Sequence, residues 1–306
     1  MQTQTFKLLS WLAGIATVVI LFVCFQPVGF SAMIAHVGLG GFSAWVALTV
    51  MARVVQVETS FVPMEVLGFP MKRSDLFWIG WIRTFSNQII PLSGVAAYAH
   101  AIRNKTNISW KELVALATPQ FVLAALALGV VGVSAGLVNM YSGSAVPVVL
   151  LAGYGGLIGV SLGVTYGTAS LLSLLPEFFR RKFAKTKLAL RKLSATKGLV
   201  GRLVLYHVVI ILLRGLRIWL LFEIADAHLL WQEALLVVAI AESAMLVQLT
   251  PGGLGIREGA ILGGASLVGI RPDIAVGVAL IDRLFVVGIT ALLTPPAIVV
   301  VRSEGP

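Results

Sequence analysis

Charge is scarce in this 306-residue chain: 12% of its residues are Asp, Glu, Lys or Arg, and only 13 are acidic. A typical soluble domain carries about 25% charged residues, so the chain is not expected to fold in water. Cysteine is nearly absent. Cys24, inside the first apolar run, is the only one, which excludes an intrachain disulfide and any multi-cysteine metal site and leaves Cys24 to packing. His36, His100, His207 and His228 are scattered without metal-ligand spacing or an HExxH pattern, so no metal and no cofactor is expected. GxSxG, P-loop and CxxC patterns are also missing, as is any polar stretch long enough for a soluble catalytic domain. Enzymatic activity is therefore not expected.

Apolar sequence is abundant, at 58% of residues. A helix needs about 20 apolar residues to cross the hydrocarbon core. Candidate spans lie near 8–30, 41–57, 75–91, 110–137, 145–174, 203–225, 230–249 and 273–300. The expected fold is all-α: a polytopic helical membrane protein of about eight spans. The first run follows a single lysine and imitates a secretory signal, but it is longer than a signal core, so a retained span is expected. The third is amphipathic, with Trp78, Trp81, Arg83, Ser86, Asn87 and Gln88, and should face protein or water. The fifth is long enough to tilt or to break near Gly153, Gly155 and Gly156.

The formal charge of +10 points to lipid headgroups and not to nucleic acid, because nine of the 23 basic residues form one block from Arg180 to Arg202, beside membrane spans. Within 176–201, Phe179, Phe183, Leu190 and Leu193 recur at helix-like intervals. The segment reads either as an amphipathic helix on an anionic surface or as a solvated basic loop that fixes topology. Both readings place it in the cytoplasm, at what is expected to be a bacterial inner membrane.

The stretch from Pro251 through Gly252, Gly253 and Gly255 to Arg257 and Glu258 interrupts this hydrophobic background. Irregular backbone at membrane depth survives only where protein or a wet cavity surrounds it. An internal repeat accompanies it: Gln88, Pro91 and Gly94 mirror Gln248, Pro251 and Gly255, with a shift of about 160 residues, giving approximate halves 41–137 and 203–300. Each half carries a Pro/Gly-broken or re-entrant segment, the sequence pointer to a transporter site near the bilayer midplane. Span parity leaves the relation of the halves open. Five spans before the basic block put the amino terminus outside and make the repeats parallel, in agreement with cytoplasmic Arg103, Lys105 and Lys111. One more crossing, from the segment after Pro91 or from the fifth region, makes them inverted.

Charges inside spans are costly and mark functional candidates, with structural ion pairing as the plain alternative. Arg214 and Arg217 share one helix face and have Glu223, Asp226 or Glu242 as candidate partners; Asp282 and Arg283 lie well inside the last span. A short helix beginning at Arg257 would offer unpaired N–H groups to an anion such as phosphate, with Arg257 and Arg283 completing the site. Glu258 and Glu242 would hold these arginines or contact a cationic headgroup. A tight turn, with Glu258 capping or balancing Arg257, is the simpler reading of the same residues.

The combination Pro251-Gly-Gly-Leu-Gly-Ile-Arg-Glu-Gly-Ala260, Gly269 in the next turn and Arg283 in the last span resembles the lysylphosphatidylglycerol synthase transmembrane family. Pro91 and Gly94 are similar to the family's earlier Pro-x-x-Gly element, although Val95, Ala96, Ala97 and Tyr98 replace the Glu and Arg often found beyond it. The resemblance implies movement of an amphiphilic lipid between leaflets, with Pro251, Gly252, Gly253, Gly255, Arg257, Glu258 and Arg283 near the path. The expected function is handling or translocation of an anionic or amphiphilic lipid, such as a phospholipid, an aminoacyl-phospholipid, a polyprenyl-phosphate-linked lipid or a hopanoid. Lacking an ATP-binding motif, passage would be downhill or gradient-coupled, with Asp282 or Glu242 as proton carriers. Secondary transport of a small anion is the alternative, followed by a scaffold for a lipid- or glycan-modifying enzyme. Anion recognition is expected mainly in the second half, which holds the charged loop.

Overall fold

The structure, a computed structural model, describes residues 30–106, 108–166, 184–246 and 250–303, with a few isolated positions before them. Cys24, most of the expected 8–30 span, residues 176–183 of the basic segment and Gln248 lie outside the described residues.

All regular elements described are helical. They are α1 (Phe30–Val66), α2 (Arg73–Ile89), α3 (Ser93–Thr106), α4 (Trp110–Tyr141), α5 (Val148–Tyr166), α6 (Ala184–Ala195), α7 (Leu199–Ile224), α8 (Trp231–Ala244), a 3-10 turn (Pro251–Gly253), α9 (Ile256–Leu267) and α10 (Pro272–Ser303). Five of these, α1, α4, α5, α7 and α10, are long and apolar enough to cross a membrane. The helices α2, α3, α8 and α9 have only 17, 14, 14 and 12 residues. At about 1.5 Å per residue, each of the four is shorter than a hydrocarbon core of about 30 Å.

Instead they form two hairpins. α3 returns along α2, and Lys105 near its end pairs with Asp75 at the start of α2 at 3.0 Å. Ile102 and Ile108 pack with Met71 and Leu76 at the same base. The second hairpin is alike: α9 runs back along α8, bringing Gly264 against the backbone of Val237. The expected spans at 75–91 and 230–249 therefore correspond to the first arms of hairpins.

The long helices fix the direction of each hairpin. Gly41 lies against Ile224, Thr49 accepts a hydrogen bond from Arg217 at 3.3 Å, and Val62 shares an apolar cluster with Leu203. These pairings make α1 and α7 antiparallel. The hairpin after α1 consequently rises from one end of the bundle and the hairpin after α7 from the other. Both halves follow the same order of long, short, short and long helix, run in opposite directions. Each long closing helix also packs on the other half's hairpin: α10 lies along α2, and α4 lies along α8, where Asn139 donates to the Gln232 carbonyl at 2.8 Å.

Local sequence explains the element boundaries. Ser109 and Glu112 form a reciprocal capping box that starts α4, satisfying N–H groups at its first turn. α10 begins at Pro272, a residue whose missing N–H is no loss there. In α1 the helix turns a corner at Gly38, with φ +54°. α5 runs unbroken through Gly153, Gly155 and Gly156, so of the two expectations, tilting or breaking, the break does not occur there. α6, the described part of the basic segment, buries Ala189 and Leu193 and leaves Arg191 and Lys192 exposed. Leu193 packs with Val62, Leu123 and Leu203, which brings α6 to the end from which the first hairpin rises.

The two ends differ in charge. Lys72, Arg73, Arg103, Lys105, Lys111, Arg191, Lys192, Lys197 and Arg202 gather at the α6 end. The opposite end carries Glu223, Asp226, Glu233 and Asp273, with Arg271 its basic residue among those described. Large apolar side chains cover the flanks, including Leu39, Phe121, Val149, Val160, Leu205 and Leu292. Apolar exposure on that scale suits a lipid-facing surface.

Candidate functional site at the meeting of two hairpin tips

The hairpin tips meet inside the bundle. A side chain on Gly252 would collide with the amide of Gln88, one turn before Pro91, and α2 packs against the 3-10 turn. The two Pro/Gly elements read from the sequence are thus neighbours in space. They also share a conformation: Leu92, directly after Pro91, has φ +61°, and Gly252, directly after Pro251, has φ +55°. A left-handed leucine is strained where glycine is not.

The first tip closes with neutral groups. Asn87 Oδ1 accepts the Gly94 N–H at 2.7 Å, and the Ser93 hydroxyl donates to the carbonyls of Ser86 (2.6 Å) and Ile90 (2.8 Å). Gly94 is required by close approach, since a Cβ there would run into the Arg83 carbonyl and the Asn87 amide.

The second tip closes with charge. Arg283, on α10, donates to the carbonyls of Gly252 (2.8 Å) and Pro251 (3.1 Å) and lies 3.5 Å from Glu258 Oε1. The fully buried Glu258 takes the Gly255 N–H at 2.7 Å through Oε2. The amino terminus of α9, expected to receive an anion, therefore already holds a carboxylate from its own first turn. That carboxylate suits both the free N–H and the helix dipole.

Beside this tip, Asp282 binds several partners at once. Its carboxylate accepts from Arg257 Nη1 at 2.6 Å, Arg217 Nη2 at 3.2 Å and Trp45 Nε1 at 2.9 Å, and it is wholly buried. The Arg217 guanidinium also stands over the Trp45 ring, 4.9 Å from its centroid. Arg214 pairs with Glu242. Of the candidate partners for Arg214 and Arg217, the fold selects Glu242 for the first, while Asp282 takes the second. Glu223 instead sits 3.5 Å from His228 at the bundle end.

The sequence-derived residues thus fall into three linked groups: Arg283 with Glu258, Pro251, Gly252 and Gly255; Asp282 with Arg257 and Arg217; and Arg214 with Glu242. Gly253 continues the 3-10 turn, and Pro91 and Gly94 form the opposing tip. Trp45 and Arg53 were missed. Arg53, the one charge within the 41–57 run, gives Nη1 to Gln56 (2.9 Å) and Nη2 to Thr84 (2.5 Å) and stands over the Trp81 ring. A lone charge in an apolar span was the signal available for it.

A helical membrane protein with opposed hairpins and an arginine-rich interior is the class that fold and site define. The chain belongs to the family described as the lysylphosphatidylglycerol synthase TM region, whose model matches residues 10–293. No curated protein and no solved structure matches the chain.

Proposed function

We propose that the protein is a lipid translocator that carries an anionic or amphiphilic lipid across the bacterial inner membrane, the headgroup passing between the two hairpin tips. The observation that carries this reading is the charge balance of the interior. Arg214, Arg217, Arg257 and Arg283 pair with Glu242, Glu258 and Asp282, and Arg53 and Arg83 line a cavity with no carboxylate partner among the described residues, leaving arginine in excess. Uncompensated cations are expensive away from water, and a headgroup phosphate would neutralise them while it passes. Opposed hairpins give the path one movable element facing each leaflet, and rocking one inverted half against the other would alternate access.

The basic end faces the cytoplasm under the positive-inside rule. α6 lies there as an amphipathic helix against anionic headgroups. On this topology both hairpins are re-entrant, and the 41–137 and 203–300 halves are inverted repeats. No catalytic role is assigned to the chain.

Reconstitution tests the reading. Liposomes containing the purified protein should move fluorescent phosphatidylglycerol or polyprenyl phosphate between leaflets, and Arg257→Ala should slow this by about tenfold or more, the scale of one charge-assisted contact. Movement no faster than in protein-free liposomes sinks the proposal. Uptake of a water-soluble anion in its place would favour the small-solute alternative.

A further inference from the structure

A second group of cationic side chains lies outside the ion-pair network. Between α1, α2 and α3 a half-open cavity is lined by Arg53, Gln56, Ser60, Gly80, Arg83 and Tyr98. Arg53 is held by the neutral acceptors Gln56 and Thr84. Arg83 stacks over the Tyr98 ring, 5.2 Å from its centroid. Among the described residues neither arginine has a carboxylate partner, whereas Arg214, Arg217, Arg257 and Arg283 each have one. The Tyr98 hydroxyl is buried beside the Ser60 side chain, without a well-aligned hydrogen bond. Gly80 keeps the space open for Arg53, whose Nη1 lies 2.9 Å from where a Cβ would stand.

We infer that this cavity is a phosphate-binding subsite, in which Arg53 and Arg83 grip a phosphate oxyanion and the Tyr98 hydroxyl donates to it. Guanidinium forks match phosphate oxygens in geometry and charge. A bound dianion or monoanion also relieves the repulsion between two half-buried cations, and the buried Tyr98 hydroxyl gains a charged acceptor. That the phosphate belongs to a lipid headgroup rests on the translocator reading; that the cavity takes a phosphate does not.

Protein purified in a maltoside detergent, which contains no phosphate, is titrated calorimetrically with dihexanoyl phosphatidylglycerol and separately with inorganic phosphate. Binding of the lipid is expected, weakened about tenfold or more in Arg53→Gln and in Arg83→Gln and unchanged in Arg271→Gln at the far end of the bundle. Unchanged affinity in both cavity variants overturns the inference, as does the absence of binding by either ligand. Equal affinity for inorganic phosphate and the lipid supports the cavity and points to a free anion as the source. Should the variants not fold, wild-type protein is treated with phenylglyoxal: ligand should shield Arg53 and Arg83 from modification, and equal labelling with and without ligand contradicts the assignment. Intact binding with no lipid movement in liposomes sinks the translocator and leaves the cavity standing. Lipid movement with unaltered binding in both variants does the reverse.

Discussion

The two hairpin tips are built to one plan and closed by different chemistry. Both place a proline before a residue of left-handed conformation, Leu92 in one and Gly252 in the other. The first is sealed by the amide of Asn87 and the hydroxyl of Ser93; the second by Arg283 and Glu258. The half with the charged tip has matched nearly all its charge internally. The half with the neutral tip keeps Arg53 and Arg83 without carboxylates among the described residues. Having more charged groups and having charge available to a ligand are therefore different properties. In the second half the arginines mainly hold the tip and α10 in place, and an arriving anion would compete with Asp282, Glu242 and Glu258 for them. In the first half an anion at Arg53 and Arg83 meets no carboxylate already paired with them among the described residues.

The contrast breaks most sharply at Asp282. Asp282→Ala leaves Arg217 and Arg257 buried without their shared counter-charge and should cost about 3–5 kcal/mol. Arg53→Gln removes a cation that has no carboxylate partner among the described residues and should change stability by less than about 1 kcal/mol. Unfolding of the two purified variants in mixed micelles checks both; equal losses would show that the halves are not electrostatically different.

A smaller effect separates the tips by packing. Gly94→Ala forces a methyl group into the Arg83 carbonyl and should destabilise by about 1–3 kcal/mol. Gly263→Ala, in α9 with open space around it, should be neutral or stabilise by up to about 1 kcal/mol. The same unfolding assay reads both. Smallest is the strain at the first tip. Leu92→Gly matches the residue to its left-handed backbone and should raise stability by about 1 kcal/mol, while Gly252→Ala should lower it. Opposite signs in thermal unfolding would support the shared conformation, and equal signs would argue against it.

Much of this architecture can be read from the residues. Apolar runs locate the long helices, and Pro91, Gly94 and Pro251 through Gly255 locate both tips. The Pro/Gly elements mark a broken or re-entrant segment in each half, but hydropathy alone reads 75–91 and 230–249 as spans where the structure has the first arms of hairpins. The stretch 75–91 has nearly the length of a span, and only the return of α3, with Lys105 reaching Asp75, shows that it is one arm of a hairpin. The antiparallel packing of α1 and α7 in turn makes the two halves run in opposite directions within the bundle.

Pairing was less legible than position. Arg214 and Arg217 lie three residues apart and had Glu223, Asp226 and Glu242 within plausible reach in sequence. The choice of Glu242 and Asp282 depends on how α7, α8 and α10 pack, which no local pattern encodes. Arg53 escaped notice because one charge hardly alters the hydropathy of a long apolar run. Its importance emerges from α2 and α3, which bring Arg83 and Tyr98 beside it.

The most direct test of an interior built for anionic headgroups compares two lipids in the same proteoliposomes. Fluorescent phosphatidylglycerol and fluorescent diacylglycerol are followed by bleaching of the outer leaflet. Selective, protein-dependent crossing of phosphatidylglycerol, slowed about tenfold or more by the paired substitution of Arg53 and Arg83 with Gln, is the predicted result. Equal crossing of both lipids, or rates no different from protein-free liposomes, would contradict it.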